Sequence, residues 1–478
     1  MIESSTSRPA GCTGFPANFV WGAAASAYQI EGAWREAGKG MSVWDMMCRK
    51  PGAIYRNHTG EVACDHYHRY LEDVAIMQQI GLKAYRFSVS WPRVMPEGTG
   101  RINKAGIAFY DRLVDSLLEA GIEPYLTLFH WDYPLALYQR GGWLNPDSAR
   151  WFADYAALLG KHLGDRVKWW ITLNEPQCFV GLGHLGGKHA PGDKLEFSQV
   201  LRVMHHSLLA HGRAVQALRG ACPPDAKIGF APCYNSRMPA TESAPDIDAA
   251  REAYFAVDPD SVWSMALWAD PVYLGDYPAR AYEVFKDKMP EITGDELKII
   301  SQPLDFLAGN VYSGTKTSRG ADGAVLSHEK VPGAAIGTME WMEMEEDSLY
   351  WAARFQTERY GRLPFFVTEN GYSGTDWVAR DGKVHDPQRI DFVARYLTGL
   401  QRAAGEGIPL GGYFYWSLLD NFEWAEGYRP RFGLIHVDYE TQKRTIKDSA
   451  LWYRDVIEAN GANLSSRQGS LERVKENL

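Results

Sequence analysis

The sequence has few cysteines, and none of them is spaced as a metal or disulfide motif. Six cysteines occur in 478 residues, at positions 12, 48, 64, 178, 222 and 233, without a C-x-x-C pair. This spacing disfavours a disulfide framework and a thiolate metal site. No run of about 18 apolar residues is present, and the N-terminus lacks a basic segment followed by an apolar one. The prediction is a soluble, cytoplasmic protein without membrane contact.

The sequence also lacks any block of like charges. A formal net charge of -9 is mild for this length, so a nucleic-acid partner is not predicted. Hydrophobic residues make up 45% and charged residues 23%, which is typical of a globular protein.

Aromatic residues are abundant. The 17 tryptophans and 25 tyrosines provide more flat, amphipathic surface than core filling usually needs, and sugars stack on such faces. An aromatic core is the alternative interpretation.

Eight short apolar segments predict buried strands. They cover residues 19–26, 83–90, 123–130, 168–174, 227–234, 305–312, 364–370 and 412–419. Each is nearly continuous in its hydrophobicity, as in strands that are buried on both faces. Amphipathic helical patterns lie between them, for example over 107–120 and 151–163. Eight alternating strands and helices without a linker or repeat predict an α/β protein with a single (β/α)8 TIM barrel and elaborated βα loops.

Polar residues close most of these strands. In such barrels the carboxyl ends of the strands form the active-site face. The polar and aromatic residues that these strands carry or lead into are Gln29, Arg86, His130, Trp131, Asn174, Glu175, Asn310, Tyr312, Glu369, Trp416, Glu423 and Trp424. Their composition, carboxylates with neutral hydrogen-bonding groups and tryptophan faces, is suited to holding a polyol.

Glu175 and Glu369 are the candidate catalytic pair. Two carboxyls facing each other across a barrel mouth suit glycoside hydrolysis, in which one donates a proton and the other attacks the anomeric carbon or activates water. The proton donor needs a raised pKa, whereas a nucleophile must be ionised. Arg86 and Tyr312 are candidates for keeping a nucleophile ionised, although sequence order leaves open which glutamate each contacts.

Several motifs resemble those of glycoside hydrolase family 1, the β-glucosidases and their relatives. They are F-V-W-G-A-A-A-S-A-Y-Q-I-E-G (19–32), Y-R-F-S-V-S-W-P-R (85–93), H-W-D (130–132), T-L-N-E-P (172–176), N-V-Y (310–312), V-T-E-N-G (367–371) and W-S-L-L-D-N-F-E-W-A-E-G-Y (416–428). The resemblance extends from about residue 15 to about residue 453, nearly the whole chain.

The resemblance implies a role for each site residue. Glu175 would be the general acid and base and Glu369 the nucleophile of a retaining double displacement, with carboxyls about 5 to 5.5 Å apart. Arg86 and Tyr312 would keep Glu369 ionised, and Asn174 would bind the sugar 2-hydroxyl. The residues implied to bind the terminal sugar are Gln29, His130, Glu423 and Trp424, with Trp416 as a stacking floor and Trp341 as a leaving-group platform. Trp131 is also expected to bind substrate, and Asn310 to belong to the catalytic residues.

Two segments differ from the usual pattern of the family. Residues 310–312 read N-V-Y where relatives often have N-Y-Y, and residues 339–349, which contain Trp341, match only loosely. The predicted ligands are β-glucosides and short oligosaccharides, with β-galactosides or β-fucosides as weaker substrates. The preference for the leaving group stays open.

Three alternatives remain beside a hydrolytic β-glucosidase. A 6-phospho-β-glucosidase would need cationic groups near the sugar 6-position, where the resemblance puts the carboxylate of Glu423. A mainly transglycosylating enzyme differs only in the acceptor that resolves the intermediate. A non-catalytic carbohydrate-binding protein is disfavoured because both glutamates are present.

Neither a metal nor an organic cofactor is predicted. Histidines cluster at 66, 68, 205, 206 and 211, but residues two apart on a helix do not face each other, so packing or surface roles are favoured. The predicted domain limits are an N-terminal extension (1–14), the glycosidase domain (15–455) and a C-terminal tail (456–478). A homo-oligomer is compatible with the sequence.

Overall fold

A ring of parallel strands forms the centre of the molecule. The structure, a computed structural model, describes residues 14–328 and 333–464. Its strands are β1 (Val20–Ala24), β2 (Ala84–Ser88), β3 (Glu123–Phe129), β4 (Trp169–Asn174), β5 (Lys227–Ala231), β6 (Cys233–Pro239), β7 (Leu307–Arg319), β8 (Val325–Ser327), β9 (Phe365–Asn370), β10 (Leu410–Trp416), β11 (Ile435–Val437) and β12 (Arg444–Ile446). The order across the main sheet is β5-β4-β3-β2-β1-β10-β9-β7-β6, with β8 paired to β7.

The two edge strands of this sheet, β5 and β6, are the two halves of one interrupted strand. The sequence predicts a single strand over 227–234, but Pro232 separates β5 from β6 because proline has no N–H for the ladder. The backbone N–H of Asn310 donates to the Pro232 carbonyl at 3.1 Å, and that of Asp305 donates to Ile228 at 2.9 Å. The broken strand thus closes the ring against β7. The predicted (β/α)8 barrel is confirmed.

Helices surround the ring. They are α1 (Ala27–Ile30), α2 (Val43–Met47), α3 (His66–Gln79), α4 (Trp91–Val94), α5 (Lys104–Glu119), α6 (Leu135–Tyr138), α7 (Ser148–Leu163), α8 (Pro176–Val180), α9 (Phe197–Ala221), α10 (Ala244–Tyr254), α11 (Met265–Tyr273), α12 (Ala279–Phe285), α13 (Gly294–Ile300), α14 (Ser348–Tyr360), α15 (Pro387–Gly405) and α16 (Asp448–Glu458). The two helices predicted from periodicity correspond to α5 and α7. Several connections from a strand to its outer helix carry extra elements, as expected for elaborated βα loops.

Aromatic side chains fill the inside of the barrel. Tyr125, Phe306, Phe366 and Phe414 are buried there, each at most 3% exposed. The ring of Phe306 lies so close to Gly229 that a Cβ at this position would sit 2.2 Å from it. Part of the aromatic content therefore serves the core, and the packed interior supports a site at the carboxyl ends of the strands.

The predicted domain limits remain predictions. Residues 1–13 of the extension and 465–478 of the tail lie outside the described residues, and helix α16 extends across position 455. Among the helices in the described part of the chain, none has the length and apolar character needed to cross a bilayer.

Candidate active site

The carboxyl ends of the barrel strands surround a cavity of about 460 Å³. Most of the predicted site residues line it, namely His130, Trp131, Glu175, Asn310, Tyr312, Trp341, Glu369, Trp416, Glu423 and Trp424. The other three are Gln29, Arg86 and Asn174. They lie directly behind the residues that line the cavity and contact them. The barrel therefore brings all of the predicted site residues together.

Glu369, near the end of β9, has a charged partner. Arg86 Nη1 donates to Glu369 Oε1 at 2.7 Å, and the Tyr312 hydroxyl donates to Oε2 at 2.9 Å. Arg86 is held by β2 and is 1% exposed, with Nε donating to Thr127 at 3.2 Å. Both oxygens of Glu369 thus accept strong hydrogen bonds, one of them charge-assisted. Sequence order left open which glutamate Arg86 and Tyr312 contact. In the structure both donate to Glu369.

Glu175 follows β4 in a strained backbone conformation. Its φ is 42° and its ψ 65°, in the left-handed region that non-glycine residues seldom adopt. Pro176 begins α8 immediately afterwards, where its fixed φ suits the first helical position. Asn310 Nδ2 donates to Glu175 Oε1 at 2.9 Å. The turn thus delivers a buried carboxyl whose amide partner carries no charge.

Asn174 connects the surroundings of the two glutamates. Its Oδ1 accepts from Arg86 Nη2 at 2.5 Å and from Asn310 Nδ2 at 3.0 Å. Its Nδ2 lies 3.0 Å from Nε2 of His130. Since Arg86 also contacts Glu369 and Asn310 also contacts Glu175, the two carboxyls belong to one buried polar network.

Burial raises the pKa of both carboxyls above the ordinary range, but their other contacts differ. For Glu369, the Arg86 guanidinium and the Tyr312 hydroxyl lower the pKa, while the charge of Glu175 raises it. For Glu175, only Asn310, Cys178 and the more distant charge of Arg86 oppose burial. The guanidinium contacts Glu369 directly and favours its ionised form, whereas the side-chain donor at 2.9 Å from Glu175 is a neutral amide.

Aromatic rings form another part of the cavity wall. His130 stacks with Trp416 at a centroid distance of 5.6 Å, and Trp131 lies 4.7 Å from Trp424. Trp131 and Trp424 have positive φ values of 78° and 47°, so backbone strain concentrates here, as at many functional sites.

Glu423 is partly buried beside Gln29. Gln29 Nε2 donates to Glu423 Oε2 at 3.2 Å and to Asn421 Oδ1 at 3.1 Å. Burial and the charges of Glu369 and Glu175 raise the pKa of Glu423 to about 8. A carboxyl next to an amide at this position can both donate to and accept from sugar hydroxyls.

The outer part of the cavity includes residues that the strand-end argument missed. Trp341, which was predicted, is 48% exposed and meets Tyr312 edge-on at 5.5 Å. Those not predicted include Cys178, Lys188, Cys233, Trp263 and Glu426. Most of them lie in connecting segments, where neither periodicity nor the end of a strand marks a side chain as functional. Cys178 follows the 172–176 motif by two residues and Glu426 lies within the 416–428 motif, which was the available signal.

The histidines singled out as an alternative metal site have other contacts. His66 Nδ1 lies 2.7 Å from Asp73, and His211 Nδ1 lies 2.7 Å from the Thr172 hydroxyl. His205 contacts the Tyr277 hydroxyl and His206 a backbone carbonyl. Within residues 14–328 and 333–464, no group of three or more His, Cys, Asp or Glu side chains is arranged to hold a metal ion.

Comparison with known proteins agrees with this geometry. The sequence model of glycosyl hydrolase family 1 matches residues 12–462. Beta-glucosidase A of Thermotoga maritima is 44% identical over 94% of this chain and 98% of its own length. Beta-glucosidase A of Acetivibrio thermocellus is 45% identical over 94% and 99%. The crystal structure of the Thermotoga maritima enzyme in complex with glucoimidazole superimposes with a TM-score of 0.86, covering 94% of this chain and 100% of that one.

Proposed function

Because the chain belongs to glycosyl hydrolase family 1, we propose that it is a retaining β-glucosidase with Glu369 as nucleophile and Glu175 as general acid and base. One observation carries the assignment of roles. Arg86 and Tyr312 both donate to Glu369, whereas the amide of Asn310 is the side-chain donor at 2.9 Å from Glu175. An anion is stabilised by the first environment and a protonated acid by the second.

In the first step Glu369 attacks the anomeric carbon of the terminal glucosyl residue. A bond forms between its carboxylate oxygen and this carbon while the bond to the leaving oxygen breaks. Glu175 gives its proton to the leaving oxygen, so that the aglycone departs as a neutral alcohol. Arg86 and Tyr312 then face a neutral ester instead of a carboxylate.

In the second step Glu175 acts as a base. It removes a proton from a water molecule, whose oxygen attacks the anomeric carbon and displaces Glu369. Two inversions give net retention of the β configuration. Glu175 regains its proton and Glu369 its charge, so the site returns to its starting state.

The substrates are non-phosphorylated β-glucosides and short β-linked glucose oligosaccharides. Three relatives support this class, two named β-glucosidase A and one named 1,4-beta-D-glucan glucohydrolase, from Thermotoga neapolitana. The carboxyl of Glu423, which lines the cavity, disfavours a sugar phosphate in the same pocket. β-Galactosides and β-fucosides are expected to be weaker substrates.

The roles of the glutamates can be tested with azide. With Glu175→Ala and an activated β-glucoside, azide attacks the covalent intermediate on the face that water normally uses, and β-glucosyl azide forms. With Glu369→Ala, azide replaces the missing nucleophile on the opposite face and gives α-glucosyl azide. NMR of the products distinguishes the two, and the reverse stereochemistry would exchange the assignments.

Turnover of nitrophenyl β-glucosides by the unmodified protein separates the alternatives to hydrolysis. A 6-phospho-β-glucosidase would turn over the 6-phosphorylated substrate faster than the unphosphorylated one. A transferring enzyme would release nitrophenol much faster than glucose at high substrate concentration. A protein that only binds sugar would release neither, although calorimetry would still detect binding.

A cytoplasmic location and a homo-oligomeric state complete the proposal. The five cysteines in the described part of the chain are free thiols, which is usual in reducing compartments. Cell fractionation and light scattering would test the two points.

A further inference from the structure

Two thiols lie side by side in the cavity wall next to Glu175. Cys178 is in α8, three residues after Glu175, and Cys233 is the first residue of β6, after the break at Pro232. Their sulfur atoms are 3.9 Å apart, and both residues line the cavity. Neither belongs to the set of groups used in the proposed reaction.

The two backbone segments that carry these thiols are clamped together. Gln177 Nε2 donates to the Cys233 carbonyl at 3.0 Å, and the Cys233 N–H donates to Gln177 Oε1 at 3.2 Å. A disulfide bond is about 2.05 Å long, so the sulfur atoms must approach by about 1.9 Å. Side-chain rotation at two half-buried cysteines supplies a movement of that size.

The other thiols in the described chain are not arranged in this way. Cys48 contacts the Tyr28 hydroxyl at 3.4 Å, Cys64 the Asp420 carbonyl at 3.0 Å and Cys222 the Gly160 carbonyl at 3.9 Å. Among residues 14–328 and 333–464, Cys178 and Cys233 are therefore the two cysteines whose sulfur atoms contact each other.

Cys178 also connects the pair to the acid. Its backbone N–H donates to the Glu175 carbonyl at 2.9 Å, so the thiol belongs to the turn that positions Glu175. A new covalent bond pulls the start of α8 toward β6, directly beside the turn that positions Glu175.

We propose that Cys178 and Cys233 are a modification site, an oxidisable dithiol whose disulfide reversibly slows the enzyme by disturbing Glu175 and the leaving-group side of the cavity. The oxidant class is a small peroxide, because hydrogen peroxide fits within the cavity. The effect on activity rests on the proposed function, whereas formation of the bond does not.

The reaction takes place in two steps. The thiolate of Cys233 attacks a peroxide oxygen, an S–O bond forms, the O–O bond breaks, and the departing hydroxide takes up a proton to become water. The Cys178 sulfur then attacks the sulfenic acid, an S–S bond forms, the S–O bond breaks, and the hydroxide leaves as water with the Cys178 proton. Two thiols are oxidised and one peroxide is reduced to two waters.

Cys233 is the expected attacking group. The hydrogen bond from Cys178 lowers the pKa of the Cys233 thiol, but burial and the charges of Glu175 and Glu369 raise it more. The contact with Cys233, followed by burial, raises the pKa of Cys178 well above its ordinary value. Because the thiolate is the reactive form, oxidation should be slow at neutral pH and faster as the pH rises.

The test treats the full-length enzyme with hydrogen peroxide, removes the excess with catalase, and measures two quantities. Peptide mass mapping without reductant should show residues 178 and 233 linked. Release of nitrophenol from the β-glucoside should fall by about tenfold or more, since small displacements of a catalytic group are costly. Dithiothreitol should break the link between residues 178 and 233 and restore the activity. Methionine or tryptophan oxidation would not be reversed in this way.

Two variants serve as matched controls. Cys233→Ser should lose the sensitivity to peroxide relative to its own untreated activity, whereas Cys222→Ser, which changes a thiol far from the cavity, should keep it. Absence of the linked peptide would overturn the proposal, as would a linked enzyme of unchanged activity, or equal inactivation of Cys233→Ser and wild type. If no variant hydrolyses any glucoside yet the linked peptide forms, the proposed function fails and the oxidisable pair stands.

Discussion

The floor and the rim of the cavity are built from different kinds of chain segment. The floor, defined by Arg86, Asn174, Glu175, Asn310 and Glu369, comes from the ends of barrel strands, and each of these residues is at most 8% exposed. The rim, defined by Lys188, Trp263, Trp341 and Glu426, comes mainly from connecting segments. There Trp341 and Trp263 are 48% and 39% exposed. The floor is rigid and suits chemistry, whereas the rim can vary without loss of the fold.

Removing the charge from the floor should have the largest effect. Arg86→Met leaves Glu369 without its guanidinium partner, so we expect kcat/KM to fall on the order of 10³-fold. The loss of a positive charge also raises the pKa of Glu369. Because the ionised form is the nucleophile, the acid limb of the kcat/KM profile should move to higher pH, which pH-rate measurements on the β-glucoside will show.

Arg93→Met is the matched control for this substitution. Arg93 is equally buried, but its carboxylate partner at 2.7 Å is Glu31, which is not among the residues that line the cavity. This variant should lose stability, as is usual for a broken buried pair, while its acid limb stays in place. An acid limb that moves equally in both variants would contradict the role of Arg86.

Tyr312→Phe removes one neutral donor and should have the second-largest effect. The Tyr312 hydroxyl donates to Glu369 Oε2 at 2.9 Å. Loss of one preorganised donor costs about 10²-fold in rate, and the acid limb should again move upward. Tyr396→Phe is the control, since its hydroxyl donates to the Tyr312 carbonyl and accepts from the Glu345 N–H, which are backbone groups near the site. Steady-state kinetics across pH would reveal an unchanged Tyr312→Phe profile if the assignment were wrong.

Trp341→Ala tests the rim and should have a smaller, substrate-dependent effect. An aromatic face contributes about 0.5–1.5 kcal/mol, so kcat/KM should fall about 3- to 10-fold for substrates whose leaving group stacks there. A methyl glucoside should be nearly unaffected. Trp377→Ala is the control, because Trp377 is 71% exposed and outside the cavity. Equal losses for the methyl and aryl glucosides would refute a leaving-group role.

Glu426→Gln should have the smallest effect. Glu426 lines the cavity, as Glu175 and Glu369 do, but it pairs with the exposed Lys188 at 3.2 Å and with Arg429. Exposed ion pairs contribute about 0–1 kcal/mol, so we expect less than about a threefold change in kcat/KM. A loss comparable to that of a floor residue would show that the division between floor and rim is wrong.

Much of the floor could be predicted because its residues follow recognisable strands. The end of an apolar run marks a position such as Asn174 or Glu369 as part of the active-site face, and the family resemblance adds the role. The break at Pro232 was not predicted because residues 227–234 form one apolar run with the length of a single strand. The partners of Arg86 were left open because residues 86 and 369 are far apart in the sequence.

The rim was harder to predict for a physical reason. Trp263 and Lys188 lie in connections whose conformation depends on contacts with other connections, and no local periodicity reports such contacts. The pairing of Cys178 with Cys233 arises in the same way. Their spacing of more than fifty residues resembles no disulfide or metal motif, and only the closure of the barrel at β5 and β6 brings the sulfur atoms within 3.9 Å.

The sequence by itself determined the eight-stranded barrel, the two glutamates and the family, because hydrophobic patterning and strand-end chemistry are local properties of the chain. Only the tertiary structure decided which carboxyl meets Arg86 and Tyr312, how Asn174 joins the two glutamates, and which thiols touch. Those facts depend on distances between residues that are remote in sequence, and barrel closure sets these distances.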